Sequence, residues 1–379
     1  MRDTSPIAAL ANLPEEQTLL RTLADVRWSV LFTAALLSLV GLFTVHSASA
    51  EMETDYLPKQ ALRIAVGLLV CAIAFVIDYQ LLTKFAVPIY ITSLILLVLV
   101  LLVGRTAGGA RSWLVIGSAQ IQPSDVAKVA VILLLARYLS SINRRFLTLS
   151  QILGCLALVA VPMALVALEP DLGGAVMFLP PVAGMLLIAG VRWRLLAAGG
   201  VLAVLLAVGV WNFVMLDYQR QRVKTFVSPQ SEPLGAGYQL RQSKIAVGSG
   251  QLTGRGYMQG TQSQLRFLPA RHTDFIFAVL AEEWGFMGVA VVLLLYALYV
   301  RNGVAVALRS RDRGAMLLVV GLLSGFGFHV LYNTGMVVGL LPITGIPLPF
   351  LSYGGSFMLA NFFAAGLILG IDFRRYVNR

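Results

Sequence analysis

The chain has 379 residues, of which 58% are apolar and 12% charged, and its mean hydropathy is +0.82. About a quarter of an ordinary soluble domain is charged, and a soluble core of this length cannot hide so much apolar surface, so a soluble enzyme, a disordered chain and a fibrous repeat are excluded. The 29 basic and 18 acidic residues give a net charge of +11; in a soluble protein that points to nucleic acid, but here membrane topology accounts for most of it and no nucleic-acid partner is expected.

The apolar residues come in long runs, not in alternation, which predicts an all-α polytopic membrane protein and excludes a transmembrane barrel. Residues 1–27 are a mixed polar stretch without a cleavable signal, expected to be a cytoplasmic segment; 28–379 form one membrane domain. About ten transmembrane helices are predicted, over 28–45, 61–77, 85–103, 124–140, 152–168, 172–190, 195–216, 275–300, 315–338 and 355–371. The fourth is the weakest, since it opens with Asp125 and Lys128. The fifth and sixth nearly touch at Glu169-Pro170-Asp171. Cys71 and Cys155 lie inside apolar runs and read as small core residues. No internal repeat is visible.

Lysine and arginine set the orientation. With the N-terminus inside, the inner segments hold sixteen of these residues and the short outer segments five. Both termini are therefore expected in the cytoplasm. The loop 217–274, between spans 7 and 8, is then extracytoplasmic. It holds eight cations, including Lys244 and Arg271, against three acids. Loops of this length are usually functional. The charge reads either as tolerance in a long translocated loop or as a site for an anionic headgroup. Residues 238–247 have helical spacing, and 248–256 are glycine-rich but lack the ending of a phosphate loop.

Charges at membrane depth are functional candidates. Asp125 and Lys128, spaced i, i+3, share a helix face and pair, as structure or as part of a site. Asp171 caps span 6 or contributes to a site with Glu169. His46 and His329 read as hydrogen-bonded packing residues. Glu283 caps or pairs internally. In Arg271-His272-Thr273-Asp274, Thr273 or Asp274 either caps span 8 or places a carboxylate at the boundary with water. No cluster has zinc-like spacing.

Three stretches then carry a resemblance: 237–250, the run Gly260 to Glu283, and Pro347-Leu-Pro-Phe-Leu-Ser-Tyr-Gly-Gly-Ser356. Together with Gln122-Pro-Ser-Asp-Val-Ala-Lys128 and Pro170-Asp-Leu-Gly173, they resemble the SEDS family (shape, elongation, division and sporulation), nearer its elongation branch than its division branch. The resemblance covers nearly the whole chain after about the first 25 residues. It implies a peptidoglycan glycosyltransferase that polymerises lipid II at the outer face of the cytoplasmic membrane. The implied partners are a class B penicillin-binding protein and other membrane proteins of the elongation complex.

On this resemblance Asp274 falls on the family's essential loop aspartate, Asp125 and Lys128 on an acid–lysine pair, and Lys59 on a basic residue before Gln60. Substrate binding is assigned to Lys59, Arg111, Asp125, Lys128, Glu169, Asp171, Lys244, Arg271, His272, Ser352 and Tyr353. The chain departs from the family in Asp125 for glutamate, Glu169 for a frequent glutamine, and Arg111 standing one place before the usual arginine. Asp274 is expected to act as base in one inverting displacement. A divalent cation, magnesium or manganese, is a further expectation with no legible ligands; no nucleotide is expected. The rival readings are a lipid II flippase and a non-catalytic scaffold for wall synthases. The prolines at 347 and 349 and the glycines at 354–355 predict a non-helical segment leading into span 10.

Overall fold

The computed structural model describes residues 23–375, apart from 51, 53–55, 108–109, 118, 210–211, 213–214, 216–219 and 221–234. Most of the expected N-terminal segment and the first part of the long loop, with Asp217, Arg222, Lys224 and Glu232, therefore lie outside the described residues.

Helices dominate because apolar side chains stabilise these segments in lipid and a helix satisfies its own backbone there. The first is α1 (Ser29–Ser49), followed by α2 (Leu57–Val76), the short α3 (Tyr79–Lys84) and α4 (Ala86–Val103). Next come α5 (Pro123–Ser140), α6 (Leu149–Leu168), α7 (Leu172–Val176), α8 (Leu179–Ala189) and α9 (Trp193–Gly209). The long loop contributes α10 (Ala236–Ser249) and α11 (Thr261–Gln264), and the bundle closes with α12 (Ile276–Arg309), α13 (Arg313–Val337) and α14 (Gly355–Arg374). Each predicted span has a helical counterpart. Among the described residues, eight helical stretches are long and apolar enough to cross a membrane. The fourth and seventh predicted spans fall short of that measure, α5 because it carries Asp125, Lys128 and Arg137 and α9 because its described part has 17 residues.

The weakest span in sequence lies at the centre of the bundle. Helix α5 packs against α4, α6, α8, α13 and α14, and most of its residues are buried. A charged pair is tolerated there because neighbouring helices, not lipid, surround it. Pro123 opens α5 in its first turn, where the missing N–H costs nothing, and Asp125 lies in that same positive turn.

Three features depart from the sequence reading. The link between α4 and α5 forms a small antiparallel sheet, β1 (Arg105–Ala107), β2 (Ala110–Ile116) and β3 (Ala119–Ile121), in the order β1-β2-β3. Gly117, at φ +63°, stands at the turn between β2 and β3, where glycine carries no steric cost. The sixth span is divided, with α7 and α8 separated at Met177–Phe178.

The eighth span is broken too. Helix α12 runs on to Arg309, but Gly285 adopts φ +64° and ψ −165°, a region open essentially to glycine. The glycine-rich stretch after α10 fills the break. Arg255 and Gly256 N–H donate to the carbonyls of Glu282 and Glu283 at 3.0 Å, while Phe286 and Met287 N–H donate to Gln251 and Leu252. The backbone groups freed by the kink are thereby satisfied. The Glu282 carboxylate accepts from Gln262 and Ser263 N–H at the start of α11, and Glu283 accepts from Ser47 Oγ.

Candidate active site

Asp274 stands in the turn before α12. The N-cap position of that helix is Phe275, so neither Asp274 nor Thr273 stands at it. The Asp274 backbone is held on both sides, its N–H donating to Ala270 O at 3.2 Å and its carbonyl accepting from Asn333 Nδ2 at 2.8 Å. Asn333 also donates to Ile346 O at 2.7 Å. This amide on α13 thus ties the Asp274 turn to the segment 338–354.

That segment is non-helical up to Gly355, as its prolines predict. It braces the turn. Ser352 Oγ donates to Thr273 O at 2.7 Å and accepts from Leu348 N–H at 2.8 Å, and Tyr353 N–H donates to His272 O at 2.9 Å. Gly345 has φ +75°, and a Cβ built there would lie 3.5 Å from Asp274 Oδ2, so this stretch of backbone passes directly beside the carboxylate. Arg271 is buried, with Nε donating to Ala48 O at 2.6 Å; it fastens the turn to α1.

An aromatic cluster covers the same place. The Tyr56 and His272 rings stack at 4.9 Å, with Tyr353 edge-on to Tyr56 at 4.6 Å. Lys59 Nζ lies 5.6 Å from the Tyr56 ring centre, and the Arg63 guanidinium lies 3.9 Å over Tyr353. Burial, and then the Arg271 charge, hold the His272 imidazole below its ordinary pKa, so it is neutral at neutral pH.

Asp125 and Lys128 pair at 2.9 Å, as their spacing predicts. Asp125 Oδ2 has no further partner and borders a cavity of about 630 Å³ between α2, α5 and α14. The walls are largely apolar, formed by Leu62, Val66, Val126, Leu359 and Phe363, with Arg63, Gln120 and Ser356 as polar exceptions. On the far side of the pair, a cavity of about 70 Å³ is lined by Lys128, His329, Tyr299 and Asn361. Asp274 does not line the large cavity; Tyr353, which lies against Arg63 of the cavity wall, is bonded through its N–H to His272 O.

The remaining candidates scatter. Arg111 is exposed and turns back onto the carbonyls of Gly104 and Leu101. Lys244, on α10, lies exposed against Gly339. Asp171 caps α7 through Gly174 N–H at 2.8 Å and accepts from Gln122 Nε2 at 3.3 Å, linking it to the start of α5. Glu169 is fully buried, with no hydrogen-bond partner at either carboxylate oxygen. Burial, and then the Asp171 charge, push its pKa up to about 8. His46 and His329 are packing residues: His46 bonds Tyr257 and His329 bonds Pro347 O. Both cysteines are free and buried.

The sequence reading missed Arg63, Tyr56 and Asn333. Arg63 follows Lys59 by four residues, so helical spacing places both on one face. Asn333 is a polar residue within a span, which is itself a signal.

Residues 27–376 match the model of the cell cycle protein family of FtsW, RodA and SpoVE. The chain belongs to this family. A relative in it, the peptidoglycan glycosyltransferase MrdB of Escherichia coli, is 40% identical over 87% of this chain and 89% of its own. The fold agrees with two solved structures. One, described as a peptidoglycan synthase complex that coordinates polymerization and crosslinking, matches with a TM-score of 0.81 at 34% identity, over 93% of this chain and 98% of that one. The other is the rod shape determining protein RodA of Thermus thermophilus, with a TM-score of 0.70 at 31% identity over the same shares. This member of the FtsW, RodA and SpoVE family is a polytopic membrane protein, and its activity is that of a peptidoglycan glycosyltransferase of the elongation type.

Proposed function

We propose that the chain polymerises lipid II, and that transfer takes place at the Asp274 end of the bundle, facing the outside of the cytoplasmic membrane with both termini inside. The observation that carries this reading is a largely apolar cavity of about 630 Å³, lined by Asp125 of the Asp125–Lys128 pair and by Arg63, whose stacking partner Tyr353 is bonded to the Asp274 turn. Such a cavity takes a polyprenyl tail, and its charged residues place the headgroup beside Asp274.

The donor sugar is α-linked to pyrophosphate and the product bond is β-1,4, so a single inverting displacement suffices, by analogy with inverting glycosidases. The acceptor 4-hydroxyl oxygen bonds to the donor C1. The C1–O bond to pyrophosphate breaks, and undecaprenyl pyrophosphate leaves with the electron pair. Asp274 takes the hydroxyl proton as general base. The leaving group needs no general acid; cations stabilise the developing charge. Lys128 and Lys59 stand at the appropriate end of the bundle. Arg111 and Lys244 act outside the cavity, as a local brace and a loop contact. Among the described residues no three His, Cys, Asp or Glu side chains converge, and no step here is routed through a divalent cation. The crosslinking partner in this reading is a class B penicillin-binding protein.

The test is detergent-purified protein, with and without that partner, given fluorescent lipid II and scored for glycan polymer on a gel. Polymer is expected. Neither a flippase, which has no membrane to act across in detergent, nor a scaffold would make it, and its absence in both conditions would contradict the reading.

A further inference from the structure

Arg63 stands one helical turn after Lys59 on α2, half-buried at the wall of the large cavity. Its guanidinium is fixed in plane by the Tyr353 ring at 3.9 Å. Gly355 leaves the space that it occupies, since a Cβ there would come within 3.3 Å of Arg63 Nε. Nη1 is buried and has no hydrogen-bond partner. The carboxylate lining this cavity, Asp125, is already paired with Lys128 at 2.9 Å. A buried cationic donor left unused is costly, and such donors are rare in native structures. The guanidinium fork matches phosphate oxygens in pairs. Its surroundings fix what carries the anion. The wall beside it is apolar, so the ligand is an anion joined to a long hydrocarbon chain.

We infer that Arg63 binds the phosphate of a polyprenyl phosphate or pyrophosphate whose tail occupies the cavity, and so sets the distance from the tail to the reacting sugar. The inference rests on the transfer-site reading above. Arg63 reaches that site through a short path: it stacks on Tyr353, whose N–H is bonded to His272 O, two residues before Asp274. Holding the phosphate at Arg63 directs the headgroup towards the Asp274 turn.

The experiment is thermal unfolding of the purified full chain in neutral detergent, titrated separately with undecaprenyl pyrophosphate, undecaprenol and phosphatidylglycerol. Wild type is expected to bind the pyrophosphate more tightly than the alcohol or the phospholipid. Arg63→Gln should lose about tenfold to a hundredfold in pyrophosphate affinity, the range for a hydrogen bond to a charged group, and bind undecaprenol as before. Arg63→Lys, which keeps the charge without the fork, should fall between the two and carries the test if the glutamine variant does not fold. In turnover, Arg63→Gln should raise KM with little change in kcat and an unaltered pH profile.

Wild-type pyrophosphate binding by Arg63→Gln, or by Arg63→Lys where that variant stands in, would overturn the inference. So would equal binding of alcohol and pyrophosphate by wild type, or equal binding of phosphatidylglycerol, which would mark a general phospholipid site. Asp274→Asn should bind the pyrophosphate like wild type. If that variant polymerises normally, the transfer-site reading falls while the Arg63 binding result stands.

Discussion

Three acidic side chains show how burial decides what a residue does. Asp125 is buried but paired with Lys128 at 2.9 Å. Removing one partner of such a pair strands the other charge and typically costs about 3–5 kcal/mol. Lys128→Met should therefore unfold at a lower temperature than wild type. The double variant Asp125→Asn/Lys128→Met should regain much of that stability. If the pair serves only the fold, the double variant will polymerise normally; in the present account it folds and polymerises poorly, which a gel of lipid II products measures. Glu169 is the opposite case, buried with no hydrogen-bond partner at its oxygens. Its folded pKa of about 8 lies above the ordinary value of 4.5, so the folded state holds the proton more tightly than the unfolded chain. The stability it contributes is present below about pH 4.5 and is lost as pH rises towards 8. Glu169→Gln should therefore be the more stable protein by roughly 1–3 kcal/mol. The gain should grow from pH 5 to pH 8 and then level off, as Tm measured across pH will show. Asp171 has a cap to make, and the sequence foresaw it.

At the scale of elements, hydropathy made the helices legible and backbone chemistry hid the breaks in them. The prolines at 347 and 349 announced the irregular segment before α14, because proline removes donors and fixes φ. The sheet between α4 and α5 is too short for a period-2 pattern to stand out from its apolar neighbours. The kink at Gly285 was not legible, because one glycine in an apolar run is common and the partners for its freed backbone groups lie some thirty residues earlier. That kink makes a direct prediction. An alanine at 285 is forced into a backbone region that costs about 1–3 kcal/mol, and the glycine-rich clamp over it loosens. Gly285→Ala should lower Tm and speed proteolysis within 250–260. Unchanged proteolysis would mean that the clamp is held from elsewhere. The site was legible only in part: the charges near span ends were visible, but Asn333, which holds Asp274 from a distant helix, becomes meaningful only when the chain is folded.

Across the whole molecule, two kinds of asymmetry coincide. The lysine and arginine excess lies at one end of the bundle, and the Asp274 turn, the aromatic cluster and the head of the apolar cavity lie at the other. The orientation proposed here predicts that a cysteine at Leu252, which is exposed on the loop, is labelled by an impermeant reagent from outside the cell, and that one at Leu308, exposed near the far end of α12, is labelled only after permeabilisation. The native cysteines are buried and should give little background. The central claim is that Asp274 is the base for glycosyl transfer. Its most direct test is lipid II polymerisation by purified Asp274→Asn, a change that keeps size and leaves the backbone bonds to Ala270 and Asn333 in place. The account predicts a folded, membrane-inserted protein that binds its partner and makes polymer about 10²–10⁴-fold more slowly. Polymer at near the wild-type rate would contradict it.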